Sequence, residues 1–333
     1  MVLLGNAGMP LDCPPLAAPM GPAMSVSDQA VSDMHRHLAA FNQARATSSQ
    51  ESLDWIARAA ADYRLRRLEH DFVESESEAL RRVAREAPFD PDRFVDWFDR
   101  LTQLAPGTSD PLFPWLAEAA EPDQLRWYHR QTTAADAGFE AFSELIQQRF
   151  APRNSADKAR YEHEDSEPSP SANTFAPLLR RAGRALAHAQ ALDDILWESL
   201  AVSNLMAALS ANRRYAYQAV GALAASERSA FDRQPFVQRG LERAGIPAES
   251  CTGNSCDTPI GPVWGREVLS ALVAPEPNAA CLIAEGALLR IQAEARSFER
   301  YRRELVREVG SLPQPVFEPL TQPAIQPEYS YAS

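Results

Sequence analysis

Histidine runs out early in this 333-residue chain: there are six, and none follows His188. A metal centre ligated by imidazoles from the second half alone is therefore excluded. Cysteine is sparse too. Cys13, Cys251, Cys256 and Cys281 make no dense framework, so the expectation is reduced thiols in a cytoplasmic protein. No run of about 18 apolar residues occurs, so no membrane span is expected. The start lacks a basic region, and Leu3-Leu4 gives way at once to Gly5-Asn6, so no secretory signal is expected. There is no excess of positive charge. The net charge is -12 at pH 7, which makes nucleic acid and anionic membrane surfaces poor partners. A glycine-rich phosphate loop and a nucleophile elbow are both missing. Val and Ile nowhere alternate with polar residues for more than a few positions, so strands are not expected.

What remains is helical periodicity in a chain that is 45% apolar. Asp90-Pro91 starts one helix, with a capping Asp and a Pro at the first helical position, where its missing N–H costs nothing. Phe94, Val95, Trp97, Phe98 and Leu101 give it a broad apolar stripe. Residues 123–150 follow with Leu125, Tyr128, Phe139, Phe142 and Leu145, broken near Gly138. The strongly apolar stretch from Leu192 to Asn212 predicts a central helix, followed by helices over 215–229, 234–244 and 278–309. Pro106–Ser109, Asp165–Ala172 and Ile246–Pro262 read as loops. The expected architecture is an all-α bundle at residues 111–310, preceded by a helical extension at 26–110. The Pro-rich stretches 1–25 and 311–333 read as flexible ends.

Several short stretches in order carry a resemblance. They are Leu112-Phe113-Pro114-Trp115-Leu116-Ala117, Asp136-Ala137-Gly138-Phe139, Asn204-Leu205-Met206 and Asn212-Arg213-Arg214-Tyr215. Gly221-Ala222-Leu223 and Ile283-Ala284-Glu285-Gly286-Ala287-Leu288-Leu289-Arg290, with Phe298 and Tyr301-Arg302, complete the set. Together they resemble the haem-oxygenase-like diiron oxidases, the iron-containing redox enzymes. The resemblance implies a haem-oxygenase-like helical bundle. It also implies oxygen-dependent oxidoreductase chemistry on a small amine or carboxylate, with iron as cofactor. In that family, acids and imidazoles on three helices hold two irons, the third helix offering His, Asp and His at i, i+4 and i+7, on one face.

Carried over residue by residue, the resemblance puts Glu164, Glu227 and Asp257 at acid ligand positions. Phe175, Gly253 and Ile260 stand where histidines belong. His163 neighbours Glu164 but points about 100° away on a helix. Three carboxylates alone suit Mg²⁺, Ca²⁺ or Mn²⁺ better than a diiron pair. The expectation is an oxidase-family protein with an impaired diiron site. The alternatives are a metal-free enzyme of the same fold and a non-catalytic scaffold for an active paralogous enzyme. A small-molecule substrate and a homodimer follow from the same analogy.

Each site residue also has a plainer reading. Asp257 in its Gly/Ser/Pro turn can be an N-cap. Glu227 can be a buried acid paired with Arg213 or Arg214. Glu164 sits in an acidic loop. His35 and His37, two apart, read as surface residues. His70 and Glu74, four apart, read as a surface pair, and His129 as a core or rim histidine. The Cys251–Cys256 spacing matches no zinc pattern.

Overall fold

The computed structural model describes residues 28–47, 55–103, 110–150, 194–246 and 264–309. Among them every regular element is helical. In chain order these are α1 (Asp28–Thr47), α2 (Trp55–Ala84), α3 (Pro91–Gln103), α4 (Leu112–Glu118), α5 (Pro122–Ala135) and α6 (Phe139–Phe150). After them come α7 (Trp197–Ala211), a 3₁₀ turn (Arg213–Tyr215), α8 (Ala216–Arg243), α9 (Arg266–Val273) and α10 (Ala279–Val309). The all-α expectation holds among the described residues. No helix among the described residues is long and apolar enough to cross a membrane.

Local chemistry sets many of the boundaries. Asp90 Oδ1 accepts from the Arg93 N–H at 3.0 Å, capping α3 ahead of Pro91. At the start of α5 the Glu121 N–H donates to Gln124 Oε1 at 2.8 Å, half of a capping box. Gly138, at φ 82°, separates α5 from α6, in a conformation that side chains resist. Asn212 accepts from the Arg214 N–H and turns the chain from α7 into α8. One boundary departs from the sequence reading. The expected gap between Ser229 and Gln234 is absent, and α8 runs straight through Pro235. Pro235 lies on an exposed face beside Phe231, which is 77% exposed. Water can therefore serve the carbonyl that a proline N–H cannot.

The core is organised around α7, α8 and α10. All but one residue of α7 is buried, which explains a composition apolar on every side. α8 and α10 run parallel: Gly221 meets Ile283 and Ala287, Ser229 meets Glu294, and Arg233 lies over Phe298. At their closest point the backbones touch. A Cβ on Gly221 would sit 1.8 Å from the Ile283 carbonyl oxygen, and one on Gly286 would sit 1.8 Å from that of Gln218. α1 lies against α7, and α2 lies against α10 and α7. Leu38, Leu65, Phe72 and Val73 thereby join the same apolar cluster as Leu223, Ile283 and Leu288. Each such side chain contributes about 1.5–3 kcal/mol on full burial.

The α1–α7 contact corrects one expectation. His35 is 2% exposed rather than on the surface. Its ring stacks on Trp197 at 5.5 Å and meets Phe72 edge-on, while Asn204 Nδ2 donates to its backbone carbonyl. Burial, with Arg296 nearby, lowers its pKa to about 4. His37, two residues on, is exposed.

Candidate functional site

Of the three acids expected to ligate metal, Glu227 lies among the described residues; Glu164 and Asp257 lie outside them, as do Cys251 and Cys256. Glu227 sits on α8, and its Oε2 accepts from the Trp264 backbone N–H at 2.9 Å. The next residue, Arg228, donates to the Trp264 carbonyl at 3.3 Å and to Asp99 Oδ1 at 3.1 Å. The Trp264 indole N–H in turn donates to Ser143. Adjacent side chains of α8 thus grip both backbone polar groups of Trp264, just ahead of α9. Arg214, one of the arginines considered as a partner for Glu227, faces Glu74 at 3.6 Å.

His70 and Glu74 also do more than pair on a surface. The Tyr215 hydroxyl lies between them, donating to Glu74 at 2.9 Å and 2.5 Å from His70 Nδ1. Arg81 bonds the same Glu74. This cluster ties α2 to the start of α8. His129 is largely buried, which lowers its pKa, and lies within reach of Thr133.

The polar centre of the bundle lies elsewhere. A cavity of about 390 Å³ opens between α5, α8 and α10, with Tyr128, Val202, Val237, Leu241, Phe298 and Tyr301 among its walls. Arg233, Arg290, Glu294 and Asp136 also line it. Arg290 Nε and Nη2 both donate to Glu294 Oε1, at 2.9 and 2.7 Å. Arg290 Nη2 also reaches Asp136 Oδ1 at 2.8 Å. Arg233 Nη1 lies 3.2 Å from Glu294 Oε2, to which Ser229 donates at 3.1 Å. Deeper in, Tyr301 shares a hydrogen bond with Ser199 at 2.8 Å, and Ser199 donates to Gln131.

The electrostatics follow from burial and pairing. Burial alone would push the Glu294 carboxyl up, but Arg233 and Arg290 hold it below the ordinary glutamate range. Burial opposes the charge on both arginines, yet Glu294 keeps their pKa values raised. All three groups are thus ionised at neutral pH. Burial raises the Tyr128 and Tyr301 hydroxyls, so both are neutral donors. Removing one member of such a buried set costs about 3–5 kcal/mol, because the charge left behind is unpaired.

Sequence reasoning quoted Asp136 and Arg290 within the resemblance but gave them no role, and it missed Arg233 and Glu294. A usable signal existed. Arg290 and Glu294, four apart, interrupt the apolar face of α10 that carries Ile283, Ala287, Phe298 and Tyr301. A cation and an anion placed one turn apart inside an apolar stripe imply a buried pair.

The described residues by themselves bring together no iron site. Among the described residues, no group of three or more His, Cys, Asp or Glu side chains could hold a metal ion. Among the described residues neither His nor Cys lines the cavity, and the most buried carboxylate there, Glu294, is occupied by two guanidinium groups and a hydroxyl.

Residues 172–295 match the family model of the iron-containing redox enzymes. Comparison with curated proteins and with solved structures gives no match. The matched span holds α7, α8, α9 and the first half of α10, and so carries Arg233, Arg290 and Glu294. The similarity to the iron-containing redox enzymes is confined to that span, and the all-α bundle described above agrees with it.

Proposed function

We propose that this chain is an oxidoreductase-family protein that takes a small amine or carboxylate into the cavity between α5, α8 and α10, and whose diiron centre is impaired. The observation that carries the reading is the placement of Glu227. It stands at a family ligand position, yet its carboxylate accepts from the Trp264 backbone and lines no part of the cavity. The missing imidazoles at Phe175, Gly253 and Ile260 point the same way. Carboxylates without nitrogen donors favour harder ions than a ferrous pair. Glu164 and Asp257 remain the other acid candidates. The test is metal analysis after anaerobic reconstitution with ferrous salt and desalting. The expected result is iron far below one per chain, and a full pair of retained irons overturns the reading.

A metal-free enzyme of the same fold is the second reading. The Arg233–Glu294–Arg290 network favours it, because it puts fixed charges and neutral phenols on the cavity wall without a metal. Such groups bind and orient a polar substrate at low reorganisation cost. Turnover in protein stripped by chelators would support this reading, and loss of all turnover on stripping would remove it.

A further inference from the structure

We infer that the cavity is a receptor for a small organic acid with an apolar body, and that the acid's carboxylate replaces Asp136 at Arg290. The inference rests on the reading above only in taking this cavity as the substrate chamber. Its volume, about 390 Å³, lies within the range of about 300–1,000 Å³ that small-molecule sites occupy. Val202, Val237, Leu241 and Phe298 give apolar walls, and the two guanidinium groups are set into them.

The donors of Arg290 are unevenly used. Nε and Nη2 serve Glu294 and Asp136, but Nη1 is buried with no acceptor among the described residues. Arg290 itself is only 2% exposed. A buried guanidinium N–H without an acceptor is costly, so a partner from outside the chain is favoured there. A carboxylate suits a guanidinium best, because its two oxygens match two parallel N–H donors.

The buried donor of Arg290, and not the sum of charge over a lining that also holds Asp136, Glu242 and Glu294, selects an acid over an amine. Arg233 and Arg290 share one fully buried carboxylate, that of Glu294. The second counter-charge is Asp136, whose side chain is 37% exposed and already meets solvent. Asp136 is the residue just after α5, two before Gly138 at φ 82°. It stands at the solvent edge of the cavity, whereas Glu294 is buried. An incoming carboxylate therefore competes with Asp136 for Arg290, whereas an ammonium offers the buried Nη1 no acceptor.

Isothermal titration calorimetry on the full chain, without added metal, tests this with hexanoate and phenylacetate against hexylamine and hexanol. Both acids should bind saturably, and the amine and alcohol should not. Asp136→Asn removes the competitor and should tighten hexanoate binding severalfold. Arg290→Gln should weaken it by about tenfold or more. Because Arg290→Gln also strips Glu294 of a partner, Val237→Phe supplies an independent block: it narrows the chamber, keeps every charge, and should also abolish binding. Unchanged or weaker acid binding in Asp136→Asn overturns the proposal, since a residue that merely held α5 in place would give that result. Equal binding of hexylamine, or no acid binding at millimolar concentration, overturns it as well. The readout needs neither iron nor turnover, so its failure leaves the oxidase-family reading standing, and iron loading leaves this inference standing.

Discussion

The two ends of the α8–α10 pair are built on opposite plans. Near Gly221 and Gly286 the helices meet backbone to backbone, with no room for a Cβ on either. Roughly 6 to 18 Å further along, at 1.5 Å per residue, Arg290, Glu294 and Arg233 stand between them and a cavity opens beside them. Small residues close one end; long, charged residues hold the other apart. Helices that run parallel with a tight contact at one end can splay only from that point, so the glycines fix where the chamber begins. The dry end specifies geometry and the wet end offers chemistry.

The sharpest way to break this contrast is at the glycine crossing. Gly221→Ala should destabilise the protein by about 3 kcal/mol or more, read as a shift in the urea midpoint. Elsewhere in a helix the same change stabilises by up to about 1 kcal/mol, so the sign alone is informative. At the wet end, Glu294→Ala should cost about 3–5 kcal/mol by leaving two buried cations to share too little counter-charge. Its carboxyl is held below the ordinary glutamate range, so its contribution is complete above that range. It is lost as pH falls through the native value, and Glu294→Gln should flatten that acid limb of the stability curve.

His35 gives an effect of similar size at a different pH. Its pKa falls from 6.5 to about 4 in the fold, so the unfolded chain takes up the proton first. Stability should drop by about 3 kcal/mol as pH falls from 6.5 towards 4, and His35→Leu should remove that slope. Glu227→Gln should give the smallest change, about 1 kcal/mol for the weakened capping bond to the Trp264 N–H. A loss as large as that of Glu294→Ala would mean that Glu227 has a heavier role than the Trp264 contact gives it.

Much of the helical frame was legible in the chain itself, and for local reasons. The Asp90-Pro91 cap, the Gly138 break and the apolar run of α7 each depend on neighbours within a few residues. Continuity across Pro235 was hidden because it depends on which face of α8 meets solvent. The burial of His35 was hidden for a related reason: helical spacing says which residues share a face, not which face another helix covers. The cavity cluster was harder still, since Asp136, Arg233 and Arg290 come together only once three helices are docked. Glu227 was found as a residue, but its bond to the backbone N–H of Trp264 leaves no trace in side-chain patterns.

The most direct test of the impaired centre is equilibrium dialysis of the wild-type chain and Glu227→Gln against ferrous iron under anaerobic conditions. The account predicts the same sub-stoichiometric iron in both, because the Glu227 carboxylate already accepts from the Trp264 N–H. A full pair of irons in the wild type, lost in Glu227→Gln, would contradict it.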